Sequence, residues 1–194
     1  MYTQLINKIK LYIKLSEEDL VIIKQLFHRR EIKKNDYFLK EGQISTHICF
    51  VQKGLFRYYI NQEGEEKTFY FGSEGYFITD YESFVPQIAT VQNIQALEDS
   101  IVFSISYSDL QQFYTNVENG ERFGRLALEH EIIDVVKKLK SFYKENIKQR
   151  YESFIKKYPE VQQRIPQYHI ASYVGIKPQS LSRIRKKMCF DSIF

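Results

Sequence analysis

The chain contains only two cysteines, Cys49 in an apolar stretch and Cys189 near the C-terminus. That is too few for a disulfide framework and too few for a four-thiolate iron–sulfur cluster within one chain, so reduced thiols are expected. Long hydrophobic runs are missing too. The longest stretch without a charge, Ser83 to Leu97, is 15 residues and is interrupted by Pro86, Gln87, Gln92, Asn93 and Gln95, which excludes a bilayer span. The N-terminus, MYTQLINKIKLYIKLSEEDL, alternates lysine with apolar residues and does not read as a secretory signal, so a cytoplasmic location without membrane association is expected. Catalytic signatures are absent as well: there is no GxSxG, HExxH, CxxC or glycine-rich phosphate loop before a lysine, which argues against an enzyme. The acids Asp80, Glu82, Glu98 and Asp99 fall on expected loops and read as solvated charge. His28, His47, His130 and His169 show no ligand spacing; they read as surface or packing residues, and neither metal nor cofactor is expected.

What is present is a core-forming composition with an uneven charge. Hydrophobic residues make up 43% and aromatics 15% of the 194 residues, ample for a buried core and against disorder. The net charge of +4 conceals a split: residues 1–136 hold 14 basic and 20 acidic side chains, whereas 137–194 hold 14 basic and only 4 acidic. A basic C-terminal segment therefore follows an acidic body.

The organisation reads in three stages. SEEDLVIIKQLF predicts a helix capped by Ser16 with Asp19 three residues on and Leu20, Ile23 and Phe27 on one face; Leu5, Ile9 and Ile13 predict a shorter helix before it. From about Ile32 to Tyr107, short apolar and aromatic runs are separated by Gly42, Gly54, Gly64, Gly72 and Gly75, as antiparallel strands and hairpins require. Phe56, Tyr58, Phe69 and Phe71 alternate in these runs and read as core rather than as a pocket lining. A sandwich or barrel-like roll is expected. Beyond Ser108 glycine becomes sparse, and Leu128, Ile132, Val135, Leu139 and Phe142 recur at spacings 4, 3, 4 and 3, a heptad seam on a long helix of about nine turns that suits pairing with a second chain. The division expected is 1–110, an antiparallel β-roll flanked by helices; 111–145, a long linking helix; and 146–194, an all-α domain, giving an α+β chain overall.

The C-terminal segment QYHIASYVGIKPQSLSRIRKK, residues 167–187, places Ala171, Gly175, Leu181 and Ile184 at helix-turn-helix offsets. A small Ala171 lets two helices cross closely, Gly175 takes the positive φ of the turn, and Ile170, Val174, Leu181 and Ile184 form the shared seam. Pro166 and Pro178 suit helix starts. The second helix presents Gln179, Ser180, Ser182, Arg183, Lys186 and Lys187 on its outer face, with Gln167, Tyr168 and Lys177 beside it. Arginine pairs with two acceptors of guanine, glutamine with the edge of adenine, and lysines neutralise phosphates. Double-stranded DNA is the expected partner.

Glycine-punctuated roll, long helix and C-terminal helix-turn-helix, in that order, resemble a Crp/Fnr-type transcriptional regulator with a cyclic-nucleotide-binding-like sensor domain. The local match is strongest in residues 167–187 and in HICFVQKGLFRYYINQEGEE, whose turns at Gly54 and Gly64 correspond to those of the family roll. The resemblance implies a homodimer, paired through Leu128, Ile132, Val135, Leu139 and Phe142, on a palindromic operator. It places Gln179, Ser180 and Arg183 where family members read bases, and it admits RNA polymerase and a small-molecule effector as further partners. At the ligand site the sequence departs from the pattern. Nucleotide-binding members carry a G-E-L segment and then R-[ST]-A, whose Glu holds the ribose and whose Arg holds the cyclic phosphate. The stretch here is GYFITDYESFVPQIATV. Asp80 or Glu82 stands in for the carboxylate and Gln87 and Ile88 occupy the place of the arginine; Tyr76 and Thr90 complete the candidate ligand set. Without a fixed cation a buried phosphate is poorly compensated, so tight binding of cyclic AMP is not expected. About six residues follow the second helix of the motif, so any C-terminal wing is expected to be missing or rudimentary. The alternative expectation is a ligand-binding or interaction module of the same class whose basic tail binds DNA without sequence preference.

Overall fold

The computed structural model describes residues 1–191, and the candidate thiol Cys189 lies outside the described side chains. Two short helices, α1 (Thr3–Lys10) and α2 (Glu17–Leu26), precede the sheets. The expected capping box is present: Ser16 Oγ accepts from the Asp19 amide at 3.1 Å, and the Asp19 carboxylate accepts from the Ser16 amide at 2.8 Å. The same carboxylate accepts from the Glu118 amide at 2.9 Å. Burial pushes its pKa up, but the Ser16 and Glu118 amides and the Ser16 hydroxyl outweigh that and hold it below the usual carboxylate range. Ile13 lies just beyond α1 yet is buried with Leu5 and Ile9, and Leu20 is only half-buried while Ile23, Leu26 and Phe27 carry the face of α2.

Strands β1 (His28–Ile32), β2 (Tyr37–Leu39), β3 (His47–Lys53), β4 (Phe56–Gln62), β5 (Glu65–Gly72), β6 (Phe77–Ile78), β7 (Asn93–Ala96) and β8 (Ser100–Ser106) form two four-stranded sheets, ordered β1-β8-β3-β6 and β2-β7-β4-β5. The register of β3 on β8 pairs Ile48 with Ile105 and Phe50 with Phe103. Those four side chains lie on one face because strand residues alternate, and they pack with α1, α2, Leu110, Phe113, Val117 and Phe123 in one core. Cys49, Val51 and Val102 alternate to the other face and are equally buried, which is why these strands read as continuous apolar runs. Burial also pushes the Cys49 thiol up, consistent with an unreactive reduced cysteine. Phe56, Tyr58 and Phe71 are core, as expected, whereas Phe69 is only half-buried. The β3–β4 turn depends on Gly54: its φ is +117° and a Cβ there would fall 2.9 Å from the Ser100 Cα.

The helical part begins earlier and breaks sooner than the sequence suggests. Ser106 caps α4 (Tyr107–Asn116), with Asp109 in its first turn. The chain then turns at Asn119, whose φ is 63°, and α5 (Gly120–Lys144) follows. The single helix of about nine turns is therefore corrected to 25 residues, about seven turns. The cause is local: Gly120 passes so close to the end of α4 that a Cβ would lie 2.4 Å from the Phe113 carbonyl oxygen. A short α3 (Tyr81–Phe84) lies between β6 and β7.

The chain divides into two compact units, one of residues Met1–Tyr58 and Phe71–Asp134, the other of Tyr59–Tyr70 and Val135 onward. Among the described residues no helix is long and apolar enough to cross a membrane.

Candidate nucleic-acid interface

In the second unit the C-terminal helices are α6 (Ile147–Lys157), α7 (Val161–Arg164), α8 (Gln167–Val174) and α9 (Pro178–Asp191). Asn146 and Gln149 form a capping box at the start of α6, with reciprocal bonds of 3.0 and 2.9 Å. The one-turn α7 was not foreseen; four residues give too little periodicity to read. Pro166 stands one position before α8, at its N-cap, whereas Pro178 is the first residue of α9.

The turn between α8 and α9 is built as the motif requires. Gly175 adopts φ 81° and its amide donates to the Ala171 carbonyl at 2.9 Å. The nearest atom to a Cβ there, Arg150 Nη1, would lie at 3.5 Å, so the backbone angle and not crowding demands glycine. Ile170, Ala171, Val174 and Leu181 are fully or almost fully buried; Ile184 is half-buried. Tyr151, Phe154, Tyr158, Val161 and Ile165 complete the core beneath them.

With Leu181 inward and Ile184 half-buried, the other residues of the first two turns of α9 face out. Gln179, Ser180, Ser182, Arg183, Lys186 and Lys187 are exposed, as are Gln167 and Tyr168 at the start of α8 and Lys177 in the turn. None of Lys177, Arg183, Lys186 and Lys187 forms an ion pair among the described residues. No acid occurs in the sequence between Glu160 and Asp191, although Glu65 of β5 lies near enough to Lys177 to feel its charge. The first turns of α6, α8 and α9 also lack acids, while those of α2, α4 and α5 contain them. No acid side chain thus offsets the positive ends of α8 and α9, a state that favours an approaching phosphate.

The candidate ligand residues lie in the first unit, and the side chains of Asp80, Gln87 and Thr90 are already engaged. Asp80 is buried rather than solvated: Thr90 Oγ1 donates to it at 2.5 Å and the Glu82 amide at 3.1 Å, so the carboxylate caps α3. Glu82 itself is exposed. Gln87, at φ 54°, donates from Nε2 to the carbonyls of Phe84 at 2.5 Å and Ser45 at 3.2 Å. Tyr76 does not join them; its phenol is raised by burial and then by Asp134 and Glu131. Around Gln87, Ser45, Thr79, Ser83 and Tyr58 are buried and bonded to one another, a network that sequence reading missed because isolated serines and threonines carry no periodic signal. Gln87 is therefore a neutral amide closing on its own backbone. On α5, Leu128, Ile132, Val135, Leu139 and Phe142 are all exposed. Among the described residues no three His, Cys, Asp or Glu side chains gather as metal ligands.

Comparison with known proteins finds likeness in the roll and in the fold of the whole chain. The cyclic nucleotide-binding domain family matches residues 29–117. The global regulator CLP of Xanthomonas campestris, described as responsive to c-di-GMP, is similar in structure at 15% identity, with 91% of this chain and 93% of that one covered and a TM-score of 0.69. FixK2 of Bradyrhizobium japonicum is similar at 13% identity, 86% of each chain and a TM-score of 0.70. A regulator assigned to the Crp/Fnr family, from Eubacterium rectale, is similar at 15% identity, 95% and 88% coverage and a TM-score of 0.69. No curated protein sequence matches the chain.

Proposed function

Because residues 29–117 carry a cyclic nucleotide-binding domain within a chain that has the Crp/Fnr fold, we propose that it is a DNA-binding transcriptional regulator. It is not an enzyme, and it acts in the cytoplasm as a homodimer on a palindromic operator. The observation that carries this reading is the outer face of α9, where Gln179, Ser180, Ser182 and Arg183 stand exposed around a buried Leu181. Arg183 and Gln179 lie in the first two turns of the helix, where the dipole gives no reason for a cation; guanine and adenine edges in a major groove do. Lys177, Lys186 and Lys187, with Gln167 and Tyr168 on α8, suit the flanking phosphates.

In functional terms residues 1–110 are the sensor, 111–145 the dimerisation and linking segment, and 146–194 the DNA-binding domain. The apolar stripe of α5 pairs two chains and sets two recognition helices about one turn of DNA apart, about 34–36 Å. The sensor does not hold cyclic AMP tightly: Gln87 offers no charge to a phosphate, and its donors are spent on Phe84 and Ser45. Any effector must bind two states of the dimer with different free energies, whatever its chemistry. RNA polymerase is the partner through which a bound regulator of this kind would act.

The test is selection of bound sequences from a random duplex pool, followed by titration of the recovered site at two salt concentrations. A recovered palindrome, with affinity well above that for random duplex at both salts, is expected. Salt-sensitive binding to all sequences alike, with no site enriched, would instead mark a module with a merely electrostatic tail.

A further inference from the structure

A sheet edge carries backbone donors and acceptors that need partners. β5 is an edge strand of its sheet, and two of its outward groups meet a single side-chain atom. Ser172 Oγ accepts from the Thr68 amide at 2.9 Å and donates to the Glu66 carbonyl at 2.8 Å. Opposite Lys67, one hydroxyl thus does what the backbone of a parallel neighbouring strand does. Thr68 is buried, and Ser172 lies on α8, the first helix of the helix-turn-helix.

Contacts on either side extend this join. Lys138 Nζ lies 4.5 Å from the ring centroid of Tyr173, the residue after Ser172, and 5.8 Å from that of Phe69 on β5. Lys157 Nζ lies 5.5 Å from the Tyr70 ring and 5.6 Å from that of Tyr158. Cations over rings gain strength as water is excluded. Lys138 is short of water: burial, then the like charge of Lys157, pulls its pKa down to about 7. None of these contacts uses the outer face of α9, which stays exposed. Since α8 and α9 share the buried seam of Ala171, Val174 and Leu181, whatever fixes α8 fixes α9.

Resting on the DNA-binding reading above, we propose that Ser172 is a positioning residue: by completing the edge of β5 it seats the helix-turn-helix on the β4–β5 hairpin and fixes how α9 is presented to the operator. The hairpin is then a second support for the recognition helix, besides α5.

The test compares Ser172→Ala and Ser172→Thr in the full-length protein, with two readouts. Hydrogen exchange at the Thr68 amide reports docking without DNA; it is expected to rise about tenfold or more in the alanine variant and to stay near wild type in the threonine variant, which keeps the hydroxyl. Titration of palindromes whose half-sites are moved apart by one or two base pairs reports positioning. Wild type and Ser172→Thr are expected to discriminate between spacings, and Ser172→Ala to lose about threefold or more of that discrimination as its recognition helices gain freedom. Wild-type exchange at Thr68 in Ser172→Ala overturns the docking, whatever the DNA results. Faster exchange with the spacing preference intact, or with affinity lowered equally at every spacing, overturns the positioning role, because simple destabilisation gives that pattern. If wild type selects no site at all, the regulator reading fails and the positioning role falls with it, while the exchange measurement still decides the docking.

Discussion

Leu139→Glu is the substitution that bears most directly on the dimer. In the single chain, Ile132 is 60% exposed, Val135 65%, Leu139 57% and Phe142 64%, a fraction that buried core residues never show. Fully burying a side chain of this size is worth about 1.5–3 kcal/mol. Covering the exposed share of Leu139 is therefore worth about 1–2 kcal/mol in each chain, or about 2–4 kcal/mol per dimer. Glutamate forfeits that and sets two carboxylates near each other across the seam, at a cost of at least about 1 kcal/mol more. The sum, about 3–5 kcal/mol, weakens the dimer by about a hundredfold to a few thousandfold. Helix content is not the cause, because leucine and glutamate are both good helix formers. Sedimentation velocity over a concentration series measures the dissociation constant, and Leu139→Met, which conserves volume and apolarity, is the control expected to stay near wild type. A Leu139→Glu protein that dimerises within threefold of wild type and keeps full operator affinity would show that this stripe does not pair the chains.

Three further outcomes are expected. Arg183→Ala is expected to cost about 1–3 kcal/mol on the selected site and to relax preference at one base position, whereas Lys187→Ala lowers affinity for all sequences and reduces the salt slope by about one; both are read by titration at several salt concentrations. Leu181→Ala opens a cavity under the helix-turn-helix and is expected to cost about 2–5 kcal/mol, seen as a lower melting transition of the unit that the C-terminal helices share with Tyr59–Tyr70. Lys138 has a folded pKa drawn down to about 7 by burial and by Lys157, below the unfolded value of about 10.4. Between those two limits the unfolded chain binds more protons, so stability rises as pH increases from about 7 towards about 10, and denaturant melts of Lys138→Met are expected to lack that rise.

Much of this architecture is legible in the sequence wherever a residue type answers a local demand. Ser16 with Asp19, Gly54 at its turn, Gly175 after α8 and Pro178 at the head of α9 each satisfy a requirement of the backbone itself, and all four appear where the spacing puts them. The exposed face of α9 and the stripe on α5 follow from periodicity alone. What depends on long-range approach is not legible. The close passage of Gly120 by the Phe113 carbonyl is local, only seven positions back, but it goes unread as well because the heptad begins later, at Leu128. Asp80 reads as a loop acid because its partner Thr90 is ten positions away. Gln87 reads as a lost arginine, and only the folded chain shows its amide spent on Ser45 and Phe84. Ser172 is one serine among many until the edge of β5 is laid beside it.

That last join bears on how such a protein could be recombined. The unit that contains the helix-turn-helix is assembled from two separate stretches, Tyr59–Tyr70 and Val135 onward. A chimera made by exchanging only the C-terminal stretch for that of another regulator inherits a hairpin shaped for a different lodger. Where the incoming helix carries no hydroxyl at the matching position, the Thr68 amide and the Glu66 carbonyl lose the Ser172 partner, and the rim of β5 is open to a strand from a neighbouring molecule. Exchange succeeds when the hairpin travels with the helices it supports.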